Sequence, residues 1–442
     1  MGLCLRRVKT MFTLGVPAKK KTMSNKVSDL AQNLIGSEII KLAGEINEKI
    51  KQGSSVYNFT IGDFNPALFP IPDELKAEII KAYEDNQTNY PAAEGVVELR
   101  EAVSAFLKNY GGLEYSKNEI LIAGGARPII YAIYQAIVNP GDKVIFPVPS
   151  WNNNHYTYLS RAQQVMIEAL PENNFMPTAA EILPYVQDAS LLALCSPLNP
   201  TGTVFSKEQL EEICDIVLAE NKRRGPDAKP LYLMYDQIYW LLTIGNTQHF
   251  DPVSLRPEMR PYTIFVDGIS KGFAATGVRV GWSYGPEVVI NKMKSILGHV
   301  GAWSPKAEQV ATTHFLNNKP AVDAYLHWIK DTVNKRFDAF YQGFMQLKSE
   351  GFLVDAIVPQ AAIYMTIKFD LKGKKTAEGK LLENMEDVTS YILNEAGFAV
   401  VPFFAFGSSR ESVWYRLSVG TSKVEEIPAI FDRLRTALKK LS

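Results

Sequence analysis

Between about residue 75 and residue 325, short apolar runs alternate with amphipathic segments, and no other feature restricts the possible folds as far. Residues 120–123, 143–147, 164–167, 191–195, 231–235, 262–266 and 280–284 read as strands, being short, apolar or β-branched, and bounded by turn residues. The segment 207–221 repeats apolar residues at Leu210, Ile213, Cys214, Val217 and Leu218, which fall on one face of a helix. Ser206 and Gln209 complete a capping-box pattern at its start. Strands separated by helices do not close into hairpins. They pair in parallel, with helices on both faces, so the expectation is an α/β fold with a mostly parallel sheet.

After about residue 325 the pattern changes. A long helix over 323–350 leads to an apolar run at 363–369 and a Gly- and Lys-rich loop at 371–379. A helix over 385–395, apolar runs at 398–403 and 413–418, and a closing helix over 423–438 follow. At 442 residues the chain also exceeds what one hydrophobic core ordinarily serves. The expected division is a large domain over 76–325 and a smaller α+β domain over 326–442. The segment 29–75 is too weakly patterned for its own core and packs on the smaller domain. Residues 1–28 stand apart, because Arg6, Arg7, Lys9, Lys19, Lys20 and Lys21 all precede the first acid, Asp29. They read as a disordered or spurious extension, with Met23 as the working start. A targeting peptide is the competing reading.

Composition excludes several classes of function. Forty-seven basic residues balance forty-seven acidic ones, which argues against a nucleic-acid binder held by bulk charge. Cys4, Cys195 and Cys214 make no disulfide framework, and five scattered histidines show no metal-ligand spacing, so no metal is expected. No apolar run reaches the roughly 18 residues of a membrane span. The expectation is a soluble, cytoplasmic protein of enzyme size.

Three strand ends carry chemistry. Ser270-Lys271 follows one strand, and no other charge lies between Asp267 and Arg279. A lysine flanked by Gly272, Phe273 and alanines can be desolvated, which lowers its pKa and frees the amine as nucleophile and base. Carbonyl cofactors use such an amine. Asp236 ends another strand, with Tyr239 three residues on, at the edge where α/β folds gather ligands. The turn Ser196-Pro197-Leu198-Asn199-Pro200-Thr201-Gly202 follows a third and offers a fixed amide at the same rim. Taken singly, each also reads as surface, cap or loop.

In combination these residues resemble the fold-type I pyridoxal-phosphate enzymes, class I/II aminotransferases, from about Ser37 to the C-terminus. The matching parts run in family order: Gly62-Asp63, Tyr90 with Gly95 and Leu99-Arg100, Gly124-Gly125-Ala126, and Pro149-Ser150-Trp151. Asn199-Pro200-Thr201-Gly202, Asp236 with Tyr239, Ser270-Lys271 with Arg279, and Arg416-Leu417-Ser418 complete the series. The resemblance implies a pyridoxal 5′-phosphate cofactor carried by Lys271 as an internal aldimine, with Lys271 then moving the proton between Cα and C4′. It implies that Asp236 pairs with the pyridinium nitrogen, Asn199 and Tyr239 bond the phenolic oxygen, and Trp151 stacks on the ring. The backbone N–H groups of Ala126 and Arg127, with Ser270 and Arg279, would hold the phosphate. Gly62, Arg127, Trp151, Asn199 and Arg416 would meet the substrate, Arg416 binding its α-carboxylate. Tyr90 would reach the phosphate of a neighbouring subunit, implying a homodimer with shared sites. One departure stands out: a glycine common in the family before the small-domain aromatic residue is absent from Ala361-Ala362-Ile363-Tyr364.

The implied reaction is ping-pong transamination of an amino acid with a 2-oxo acid. The resemblance is strongest to bacterial-type aspartate aminotransferases, one branch of which carries a lysine just inside the phosphate-binding turn to bind the distal carboxylate; Arg127 stands at the lysine's position, and Trp151 matches the Pro-x-Trp pattern. Aspartate with 2-oxoglutarate is therefore the leading pair. A broad or aromatic amino acid aminotransferase and a β-lyase of the same fold are the alternatives. A dehydrogenase is rejected because no strand is followed by GxGxxG, and a transcriptional regulator because no helix-turn-helix pattern precedes the domain.

Overall fold

All seven expected strands join a single sheet in the computed structural model, which describes residues 27–34, 38–53 and 55–442. A two-residue strand, β1 (Tyr57–Asn58), comes first in the chain. The sheet itself comprises β2 (Ile120–Ala123), β3 (Lys143–Val148), β4 (Gln163–Glu168), β5 (Ala189–Cys195), β6 (Tyr232–Asp236), β7 (Thr263–Gly268) and β8 (Gly281–Tyr284). Its order is β2-β8-β7-β6-β5-β3-β4. Strands β3 to β7 pair in parallel, but β8 runs antiparallel to both β2 and β7. Parallel return needs a crossover of about a dozen residues or more, usually helical. Between β7 and β8 the only helix is the single turn Ile269–Gly272, so the chain doubles back. That doubling back brings Lys271 and Arg279 to the same edge.

The central strands are buried at nearly every position, as a sheet covered on both faces requires, with successive side chains pointing to opposite sides. Ile122, Ile145, Leu192, Leu194, Leu233 and Phe265 pack on one side with the helices Val97–Gly111, Lys207–Arg224 and Lys306–Asn317. Leu121, Val144, Phe146, Ala193, Met234 and Ile264 pack on the other with Ala126–Ile137 and Glu287–Val300. Ser206 and Gln209 form the expected capping box. The helix they start runs past residue 221 to Arg224, because Glu220 is buried and ion-pairs with both Arg223 and Arg224. The charge-rich stretch after residue 221 is thus helical as far as Arg224.

Beyond the sheet, the helix Lys319–Ser349 leads to β9 (Val354–Ala356), β10 (Tyr364–Phe369), β11 (Phe398–Ala399), β12 (Val401–Pro402) and β13 (Trp414–Ser418). Strands β12-β13-β10-β9 form an antiparallel sheet, while β1 pairs in parallel with β11. Phe59, Phe64 and Phe69 share a core with Phe337, Phe340 and Phe344 of the long helix and with Phe431 and Leu434 of the final helix, Ile427–Lys439. Among residues 1–35, Asp29–Gln32 form one helical turn capped by Ser28, and residues 1–26, covered by the expectation of an extension, lie outside the described residues. No helix among the described residues is long and apolar enough to cross a membrane.

Candidate active site

The carboxyl ends of β2, β3, β5, β6 and β7 point to one edge, where a cavity of about 650 Å³ opens. Gly62, Ala126, Arg127, Trp151, Asn199, Asp236, Tyr239, Ser270, Lys271, Arg279 and Arg416 all line it. Asn199, Asp236 and Lys271, far apart in the chain, meet because the parallel strands β5, β6 and β7 all end on one side, while Arg416 reaches the cavity from β13 and Gly62 from the segment after β1.

At one part of the wall, β2 turns through Gly124 and Gly125 into the helix Ala126–Ile137, whose N-terminus carries no side-chain cap. The first backbone N–H groups of a helix lack intrahelical partners and favour an anion. Pro128, with no N–H of its own, leaves those of Ala126 and Arg127 in the first turn. Arg279 donates from Nη1 to the Thr276 carbonyl at 2.7 Å and from Nη2 to the Gly124 carbonyl at 2.6 Å. Its own φ of 63° is the strained left-handed conformation for a side-chain-bearing residue. Gly125, at φ 96°, is required beside it, since a Cβ there would run into the guanidinium.

Lys271 donates to the Gly62 carbonyl at 2.8 Å. Burial pushes its amine down to about 8, partly countered by Asp63 and reinforced by Arg416, Arg127 and Arg279. The Asp236 carboxyl is pushed the other way, up to about 6, by the same desolvation, although it accepts from the Ile238 N–H at 3.1 Å. A base with a weakly held proton and a carboxylate short of a cation therefore share one cavity.

Arg416 on β13 is 1% exposed. Its Nη1 donates to Asn199 Oδ1 at 3.0 Å and its Nη2 to the Thr60 carbonyl at 2.6 Å, while Nε has no partner. Because arginine only donates, the amide of Asn199 must turn its oxygen to Arg416, which leaves its NH₂ for the cavity. Among the described residues no carboxylate pairs with Arg416, Arg127 or Arg279. Four cations (Arg127, Lys271, Arg279, Arg416) thus face two carboxylates, Asp63 and Asp236. A buried guanidinium without a counter-ion is costly, so the cavity is built for anions.

Trp151 lines the same wall with Arg127 over its ring, the guanidinium carbon 5.5 Å from the centroid. Ser270 is buried at the start of the Lys271 turn. Tyr90 is the exception: 82% exposed, edge-on to Trp303 at 5.4 Å, it lines no part of this cavity. The missing glycine before Tyr364 has a structural consequence, since Ala362 adopts φ 63° in its place. Its N–H nevertheless donates to the Leu242 carbonyl at 2.9 Å, which holds the strained turn.

Tyr364, Thr276, Tyr156 and Cys195 are among the lining residues that sequence reasoning passed over. Tyr364 contacts Tyr239, hydroxyl to hydroxyl, at 2.7 Å. Thr276 donates to Asp63 at 3.1 Å, and Tyr156 is buried near Arg127 with its phenol raised to about 12. Cys195 sits at the end of β5, its thiol pushed up by burial and by Asp236. Only the position of Cys195 at a strand end was a readable signal. The others face the cavity through folding between distant segments.

Residues 54–434 match the family described as aminotransferase class I and II. The chain belongs to this family. An aspartate aminotransferase of Bacillus sp. (strain YM-2) is 28% identical over 421 residues, spanning 94% of this chain and 99% of that one. A probable aspartate/prephenate aminotransferase of Rickettsia felis is 29% identical, over 85% of this chain and 88% of its own. The solved aspartate aminotransferase of Rhizobium meliloti superposes with a TM-score of 0.85 at 25% identity, covering 95% of this chain and all of that one. Class I and II aminotransferases depend on pyridoxal 5′-phosphate, and their reaction is transamination. The cavity fits that cofactor: an uncapped helix N-terminus with Arg279 suits a phosphate, Asp236 a protonated ring nitrogen, and a desolvated lysine an aldehyde.

Proposed function

We propose that this aminotransferase transfers the amino group of aspartate to 2-oxoglutarate, as a cytoplasmic homodimer with shared active sites. The observation that carries the substrate is the pair Arg416 and Arg127, which line one cavity without any carboxylate partner among the described residues. A dicarboxylate has one charge for each. Arg416, buried and held by Asn199 and Thr60, takes the α-carboxylate. Arg127, exposed and lying over Trp151, takes the distal one. That relatives across nearly the whole chain are named aspartate aminotransferases supports the same choice.

In this reading residues 76–325 hold the cofactor, and residues 326–442, with 29–75, bring Arg416 and Gly62 to it. The N–H groups of Ala126 and Arg127, Ser270 and Arg279 hold the phosphate. Asp236 balances the ring nitrogen's proton, and Asn199 and Tyr239 donate to the phenolic oxygen. When bound, pyridoxal phosphate supplies the carbonyl that takes the amino group and a ring that accepts the electrons of the Cα–H bond. Lys271 supplies the proton movement: its amine, held neutral more readily than an ordinary lysine, takes the Cα proton and returns it to the cofactor side. Tyr90, outside its own cavity, is assigned to the partner's phosphate site.

The test is a panel of amino donors with Arg127→Ala. A hydrogen bond to a charged group is worth about 1.5 to 3 kcal/mol, so kcat/KM for aspartate should fall roughly ten- to hundredfold. Alanine, which has no second carboxylate, should be nearly unaffected. Equal losses for both would remove Arg127 from substrate recognition. A broader donor range is the second reading, favoured by the apolar wall of Ile61, Ile130 and Trp151 beside a guanidinium free to turn outward.

A further inference from the structure

Tyr364 comes from β10, far in the chain from Lys271 and Asp236, yet it is buried in the wall of their cavity. Its hydroxyl lies 2.7 Å from that of Tyr239 and 3.5 Å from the Gly62 carbonyl, which also accepts from Lys271. Its ring lies against Arg416, with the guanidinium carbon 4.7 Å from the centroid. One side chain thus touches two groups to which the proposed function gives different tasks.

Proton counting decides what the hydroxyl does. Each phenol has one proton and two lone-pair positions, and the 2.7 Å contact uses one proton. If Tyr239 donates, Tyr364 can spend its own proton only on the Gly62 carbonyl, at the outer limit of a hydrogen bond. If Tyr364 donates, the Tyr239 proton is free for the cavity. An acceptor oxygen brought to Tyr239 selects the second order, which sacrifices only the 3.5 Å contact. A hydroxyl that accepts one hydrogen bond donates a stronger one.

We propose that Tyr364 is a positioning residue for transamination, donating to Tyr239 so that Tyr239 bonds the cofactor's phenolic oxygen more strongly, while its ring braces the Arg416 guanidinium. This rests on the roles proposed above for Tyr239 and Arg416. The charged and titratable groups facing the pair are Arg416 from β13, Asp63 from the N-terminal segment, Cys195 from the end of β5 and Lys271 from the turn after β7. The hydroxyl and the ring have separable effects: Tyr364→Phe removes the first and Tyr364→Leu removes both.

The experiment uses holoenzyme and two readouts besides turnover: the pH midpoint of its visible absorbance, and the affinity for maleate, a dicarboxylate with no amino group to transfer. Tyr364→Phe should raise the midpoint by roughly half a unit, about a threefold change in the proton equilibrium, in the same direction as Tyr239→Phe. The double variant should match Tyr239→Phe alone, because the hydroxyl of Tyr364 acts through that of Tyr239. Maleate affinity should stay within about threefold in Tyr364→Phe and weaken about tenfold in Tyr364→Leu, the size of a desolvated cation–π contact. A midpoint moved by Tyr239→Phe but not by Tyr364→Phe, or shifts that add in the double variant, would overturn the proposal alone. A midpoint unmoved by Tyr239→Phe would overturn the role of Tyr239 and this proposal with it.

Discussion

At the residue scale, desolvation sets the chemistry of Lys271. Its amine sits at about 8 rather than the ordinary 10.5, first because of burial. An amine reacts with an aldehyde only when unprotonated, so capture of pyridoxal phosphate by the cofactor-free protein should rise with pH and level off above about 8. An ordinary lysine would keep gaining up to its own, higher pKa. Stopped-flow growth of the visible band across this range measures the midpoint directly. The same shift has a stability consequence. Between about 8 and 10.5 the unfolded chain holds a proton that the folded protein has lost, so cofactor-free stability should rise with pH over that window. Lys271→Met should flatten that rise in urea titrations, and Lys271→Ala should abolish covalent cofactor attachment and transamination together. A Lys271→Ala enzyme with full turnover would end the assignment of Lys271.

Element by element, the site depends on how strands end. The turn from β2 into the helix Ala126–Ile137 brings Gly125 against Arg279, and the short return from β7 to β8 sets Arg279 there in a left-handed conformation. Gly125→Ala should displace the guanidinium from its two donor bonds to Gly124 and Thr276, because the added Cβ would overlap its Nη2 and Cζ. If Arg279 holds the phosphate as proposed, losing one or two charge-assisted bonds should weaken cofactor binding roughly ten- to a hundredfold, measured by equilibrium dialysis with the fold intact by circular dichroism. Gly141, also at positive φ but with open space around its Cβ position, is the control: Gly141→Ala should leave cofactor affinity unchanged. An equal loss in both variants would mean that backbone strain, not crowding at Arg279, explains the effect. The β7–β8 return also marks a limit of pattern reading. Alternation of strand and helix predicts parallel pairing, whereas the direction of β8 follows from the length of one connection.

For the whole molecule, the decisive residue is Tyr90, exposed on its own subunit and outside its own cavity. If it completes a partner's site, Tyr90→Ala and Lys271→Ala should each lower activity, and mixing them under conditions of subunit exchange should restore part of it. In a hybrid dimer one site has both Lys271 and the partner's intact tyrosine. No recovery despite exchange demonstrated by mass would remove the shared site. Much of the fold and of the cavity lining was legible in the linear chain. The seven strand runs, the capping box at Ser206 and the order of Asn199, Asp236, Lys271 and Arg416 depend on local periodicity and on residue types at strand ends, which a sequence displays directly. What the sequence by itself determined was therefore the fold class, the family and which side chains could do the chemistry. Tertiary structure alone decided that Arg416 would be buried without a counter-ion, that Asn199 would turn its NH₂ to the cavity, and that Tyr364 and Tyr239 would meet. Those facts arise where segments hundreds of residues apart exclude water between them, and desolvation is a property of the enclosed cavity rather than of any stretch of chain.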